Sequence, residues 1–244
     1  MERSKYILII MISLVFTAIA NAKTNQQQIY EAYKNGDMSR WRNIVLNMEK
    51  AENQSDAYRL ELINYQYGYI GWCVGTGRKN EAKLWMEKMQ ANIDLLEKKQ
   101  YEPASIEAYK AAMIGFRVGL NRLQAPFIGP KSVEYAKNAM KADPQNPMGF
   151  LQYANILHFT PGLFGGSDVE AIKHYLLALR KMEQKMNIYR ENWNYLSLLA
   201  AIATAYYEYN QKEKAIEYLR KALQVEPGFQ WVSKELLPKY LKNK

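Results

Sequence analysis

Apolar and charged residues are interleaved along most of this chain, and no run alternates long enough to read as a β-strand. The clearest helical spacing lies in AIEYLRKALQVEP, where Ala215 and Ala222 stand seven residues apart and Pro227 follows five residues later. Residues seven apart share one side of a helix, two turns from each other. Small side chains there let a neighbouring helix come close, while Ile202, Tyr206, Ile216 and Leu219 fill the space around the crossing. Pro227 cannot continue the hydrogen-bond ladder, so it ends the helix. The same spacing returns at Ser132, Ala139 and Pro144, and its first part at Ala171 and Ala178. Such recurrence predicts helix pairs stacked as repeats, and the fold class is all-α.

Two weaker units precede these, one over about 25–50 with Trp41 and Met48 at the small positions, the other over about 55–99 with Ala82 and Met89. The pattern resembles the tetratricopeptide repeat family. In the last unit Leu199, Ile202, Ala203, Tyr206, Ala215, Leu219, Ala222 and Pro227 fall on the family's consensus positions. The unit opening at Asn146-Pro147 fits through Phe150, Tyr153, Ala154, Leu157, Ala171, Tyr175 and Ala178. The resemblance implies a right-handed α-solenoid of antiparallel helix pairs over residues 23–244, with the first helix of each pair lining a concave face. The first small position falls at residues 41, 82, 132, 171 and 215, giving steps of 41, 50, 39 and 44. The family repeat is about 34 residues, so loop insertions and longer helices are expected. The final stretch, GFQWVSKELLPKYLKNK, is expected to cap the stack through Trp231, Leu236, Leu237 and Tyr240.

The first 22 residues read differently. Arg3 and Lys5 precede an apolar run from Tyr6 to Ala20, and Ala20-Asn21-Ala22 supplies an A-x-A cleavage site. This is the pattern of a secretory signal peptide, with a mature start at Lys23. The expected location is a bacterial periplasm; secretion, or membrane anchoring by an uncleaved signal, are the alternatives. The formal charge of +9 falls only to +8 on cleavage, because Arg3 and Lys5 leave together with Glu2. Cations and acids are mixed over most of the chain, as on solvated helix faces. Lys234, Lys239, Lys242 and Lys244 are more one-sided and suit weak contact with an anionic envelope surface. No nucleic-acid-binding module is recognisable. The single cysteine, Cys73, can form no internal disulfide and reads as a small buried hydrophobe.

Catalytic and metal chemistry find little support. His158 and His174 are the only histidines, and Glu170 shares a helix face with His174 alone. A zinc site needs three or four ligands. GWCVGTGR has glycines but lacks the Lys-Ser/Thr ending of a phosphate-binding loop. No enzyme, metal or cofactor is expected. In the repeat register the concave face carries Asn64, Tyr67, Leu151, Asn155, His158, Thr204, Tyr207 and Glu208. That polar–aromatic mixture suits an extended peptide. Two connections, FTPGLFGGSDVEA and LQAPFIGPKSVEYA, are apolar where a linker should be polar. Either Leu163 and Phe164 tuck against the core while Gly165-Gly166 permits the bend, or these loops, with Phe127, Leu163 and Phe164, lip a binding site. Ser167 or Asp168 is expected to cap the helix that follows. The function expected is that of an exported, non-enzymatic scaffold holding a protein or peptide along the concave face. The alternative is a small-molecule-binding or transporter-accessory protein whose apolar pocket those loops close.

Overall fold

The computed structural model describes residues 23–242; the expected signal peptide, residues 1–22, and Lys244 of the basic tail lie outside them. Among the described residues there is no strand. Five helix pairs follow one another: α1 (Asn25–Lys34) with α2 (Met38–Glu49), α3 (Asp56–Gly75) with α4 (Lys79–Lys98), and α5 (Pro103–Leu120) with α6 (Ala125–Ala142). Then come α7 (Pro147–Phe159) with α8 (Asp168–Glu183), a short turn α9 (Met186–Tyr189), and α10 (Trp193–Glu208) with α11 (Lys212–Val225). A π-helical turn over Trp231–Leu236 runs into α12 (Leu237–Lys242).

Local chemistry sets the boundaries. Thr24, Asp37, Ser55, Asn146, Ser167 and Asn192 each accept a backbone N–H of the first turn they precede. Such caps satisfy donors that the helix itself leaves unpaired. Two second helices stop for one reason: Asp143 and Glu226 precede prolines and take up extended backbone. The small positions do what their spacing requires. Trp41, Met48, Ala82, Met89, Ser132, Ala139, Ala171, Ala178, Ala215 and Ala222 are all buried at the crossings.

Side-chain contacts fix the direction of each pair. Ser132 donates to the Ala111 carbonyl at 2.9 Å, while Asn138 donates to Glu107 at 3.1 Å, so α5 and α6 are antiparallel. Tyr175 meets Asn155, and Asp168 meets His158, so α7 and α8 are antiparallel as well. First helices run parallel to one another: Asn64 meets Tyr109, and Tyr67 packs on Phe116 further along the same two helices. Asn146 at the start of α7 donates to Ser105 near the start of α5 at 2.9 Å.

Two expectations change. LQAPFIGPKSVEYA is largely helical: after a 3-10 turn at Arg122–Gln124, α6 begins at Ala125 and carries Pro126 and Pro130. Pro126 falls in the first turn, where its missing N–H has no intrahelical partner to lose, whereas Pro130 lies inside the helix and forgoes one ladder bond. At the C-terminus, Leu236 and Tyr240 are buried as a cap requires, whereas Trp231 is exposed; Phe229 and Val232 take the inward positions.

The two ends of the chain also meet. Gln26 on α1 donates to the carbonyls of Arg190 and Glu191, both at 3.3 Å. Tyr30 donates to Glu226 at 3.0 Å, and Lys34 reaches the same carboxylate at 3.4 Å. Tyr33 packs edge-on to Trp193 and against Phe229, and Trp41 packs edge-on to Trp193. In a simple repeat stack each unit touches only its neighbours. Here the first and second pairs touch the fifth.

Candidate functional site

The residues expected on the concave face do gather on one inner side, drawn from α3, α7 and α10. The closure of the chain ends fills that side with the protein's own groups. Asn64 accepts from Tyr109 at 3.1 Å and from Asn194 at 3.0 Å. The Tyr67 ring lies among Tyr109, Phe116 and Trp193. Burial raises the pKa of its phenol, with hydrogen bonds to Gln152 and Asn155 acting the other way. Asn155 accepts from Tyr175 at 2.7 Å and donates to Gln152 at 3.2 Å. Leu151 is buried. Burial likewise holds the Tyr33 hydroxyl up at about 12, and raises those of Tyr109 and Tyr175 as well. This interior stays neutral across the physiological range.

The rest of the expected set is occupied too. His158 sits at the end of α7 with Nδ1 3.3 Å from Asp168 and Nε2 3.5 Å from Glu208, its side chain almost wholly covered. It therefore ties the α7–α8 corner to the end of α10. Thr204 donates to the Ala200 carbonyl and accepts from Tyr240 at 3.3 Å. The Tyr207 ring stacks flat on Tyr240 with centroids 3.8 Å apart. Glu208 alone of the eight is exposed. Leu151 is buried and the other six are half-buried, with groups from α1, α5, α8 and the terminal helix packed against them.

The apolar connections behave differently. Leu163 and Phe164 do not tuck inward, and Phe127 does not face an interior. Five large apolar side chains, Leu123, Phe127, Phe159, Leu163 and Phe164, are between 70% and 91% exposed, and every other exposed large hydrophobe among the described residues is at 53% or less. Leu123 and Phe127 belong to the α5–α6 corner, and Phe159, Leu163 and Phe164 to the α7–α8 corner. α5 and α7 start level and run parallel, so both corners lie at the same end of neighbouring helices, α5 being the longer. Leu123 and Phe159 join the three expected loop residues, Phe127, Leu163 and Phe164. The signal for those two was the same: bulky apolar residues beside Pro and Gly at a helix end.

The second corner is built to hold its shape. Phe164 N–H donates to the Pro161 carbonyl at 2.8 Å, Gly165 to Gly162 at 3.0 Å, and Ser167 to Leu157 at 3.0 Å. Gly165 has φ +93°, in the left-handed region, and a Cβ at Gly166 would collide with the Thr160 carbonyl. Ser167 caps α8 by accepting from the Glu170 N–H at 3.3 Å.

Among the described residues, no group of three or more His, Cys, Asp or Glu is placed to hold a metal, and no helix is long and apolar enough to cross a membrane. Cys73 is buried in α3, and burial beside Glu81 pushes its thiol up to about 12. A thiol held protonated in this way is a poor nucleophile. No family model matches the chain, and no curated protein matches it.

Proposed function

We propose that the chain is an exported, non-enzymatic binding module of tetratricopeptide type, a right-handed stack of helix pairs in the envelope, and that its contact surface is the corner edge. One observation carries this reading: all five of its most exposed large apolar side chains project from the corners of two successive helix pairs. Leaving a Leu or Phe side chain in water forgoes about 1.5–3 kcal/mol each relative to burial. Five of them gathered at one end of neighbouring helices, on a fixed backbone, mark a surface that is covered in use. The inner face expected to hold a peptide is engaged in many internal hydrogen bonds and ring contacts, whereas the corner residues make none that bury them, which supports a site at the edge. Nothing favours the enclosed small-molecule pocket, since neither Phe127 nor Phe164 faces inward.

Photo-crosslinking tests this. A photoreactive phenylalanine analogue at 127 or 164 should give adducts, to protein or to lipid, when irradiated in intact envelopes. The same group at 67, on the inner set, and at 188, on the opposite edge, should give far fewer. Adducts at 67 with none at 127 or 164 would return the contact surface to the concave face.

A further inference from the structure

We infer that the corner edge of Leu123, Phe127, Phe159, Leu163 and Phe164 inserts into the surface of an anionic lipid bilayer. This rests on the reading of that edge as the contact surface, and adds to it the chemistry of what is contacted.

Shape is the first reason. A side chain that is 70–91% exposed lines no groove; it stands on a convex corner. A protein partner would have to bring a matching pocket for each ring, whereas a bilayer accepts protruding apolar side chains without one. Insertion of this kind needs an apolar tip with polar or cationic groups behind it.

Charge is the second. From Ala108 to Val133 the chain carries Lys110, Arg117, Arg122 and Lys131 and no carboxylate. Lys110 is held by Glu97 and Glu107, and Lys131 by Glu134. Arg117 meets the neutral amide of Gln90 at 3.5 Å, and Arg122, in the 3-10 turn beside Leu123, has no carboxylate partner among the described residues. From Pro144 to Ser167 there is no acid at all. Of the acids nearest the α7–α8 corner, Asp168 and Glu208 face His158, and Glu170 pairs with Lys173. The cationic side of the tip is the α5–α6 corner with Leu123 and Phe127, where Arg117 and Arg122 stand without a carboxylate partner among the described residues, which suits the negative surface of an anionic leaflet.

Rigidity is the third. Short backbone hydrogen bonds hold the α7–α8 corner, and Pro126 and Pro130 stiffen the start of α6. Little conformational freedom remains to be lost on insertion.

The test is flotation of residues 23–244, which contain the whole core from Ile29 to Tyr240, with vesicles of two compositions. The protein should float with phosphatidylglycerol-containing vesicles at low salt, and at least about tenfold less with pure phosphatidylcholine or at high salt. Phe127→Asp combined with Phe164→Asp should lower partitioning at least about tenfold without moving the melting temperature, because both side chains are already in water. Arg122→Glu should weaken binding to the anionic vesicles alone. Ile188→Asp, on the opposite edge, should change nothing. Wild-type protein left unbound by anionic vesicles at low salt, or a double variant that floats as well as wild type, overturns the inference. Crosslinks from 127 and 164 to protein alone, with no flotation, would replace the bilayer by a protein partner and leave the edge as the contact surface. Neither crosslinks nor flotation would sink both.

Discussion

At the scale of single residues the tightest approach of a helix to aromatic rings is at Gly68. A Cβ there would lie 2.6 Å from Trp41 and 2.9 Å from Trp193, two rings pinned between α1, α2, α3 and α10. Gly68→Ala should cost about 1–3 kcal/mol by overpacking, measured by denaturant unfolding. Gly115 is the control. It lies exposed within α5 with nothing within 4 Å of an added Cβ, so Gly115→Ala should stabilise by about 0.5–1 kcal/mol. Equal effects at the two sites would mean that the two tryptophans do not meet at Gly68. Glu226 gives a residue-scale prediction in pH. Burial pushes its carboxyl upward, but the Gly228 N–H, the Tyr30 hydroxyl and Lys34 outweigh that and hold it below its ordinary 4.5. A carboxyl lowered in the folded state contributes stability that is fully present above about 4.5 and is lost as pH falls through the folded value. Wild type should therefore exceed Glu226→Gln in stability near neutral pH, with the gap closing below about 4.5. A gap that persists in acid would show that the carboxylate charge is not what holds Tyr30 and Lys34.

At the scale of elements the alanine spacing carries most of the fold. Ala178 and Ala222 are fully buried where second helices cross their partners. Ala178→Leu or Ala222→Leu should each destabilise by about 1–3 kcal/mol in thermal or denaturant melts; an unchanged melting temperature would contradict the crossings. This much was legible because local periodicity and a proline stop encode a helix pair without reference to the rest of the chain. Trp41, Met48 and Met89 were legible at large-residue versions of the same positions. The corner at 125–131 was not, since a segment with Pro126, Gly129 and Pro130 reads as a loop; first-turn tolerance accounts for Pro126, whereas Pro130 stands inside the helix despite its missing N–H. Nor was the direction of Leu163 and Phe164. An apolar residue beside glycines can turn inward or outward, and the choice is made by hydrogen bonds from Phe164, Gly165 and Ser167 to carbonyls before them. The candidate site was thus half visible: its residue types stood in the sequence, while their exposure depended on backbone geometry.

At the scale of the whole molecule the fact least visible in the sequence is that α1 packs on α10 and the loop after α11. Tyr33, Trp193 and Phe229 are far apart in the chain, and no spacing rule links them. Their meeting changes how stability is distributed. In an open stack, loosening an end unit exposes its neighbour and little else, because the energy is nearly a sum of nearest-neighbour terms. When the ends are joined, the same loss must propagate to both. Trp193→Ala removes the ring shared by Tyr33, Trp41 and Tyr67 and should cost about 3–5 kcal/mol. Tyr30→Phe with Lys34→Ala is gentler: it deletes both side-chain bonds to Glu226 and leaves the core rings in place. Amide hydrogen exchange on that double variant should rise in α1 and, across the closure, at 226–232 and the start of α10, while α5 and α6 stay as slow as in wild type. Exchange that rises only in α1 and α2 would describe an open stack whose ends touch without coupling. A rise at both ends would show that the fifth pair is held by the first.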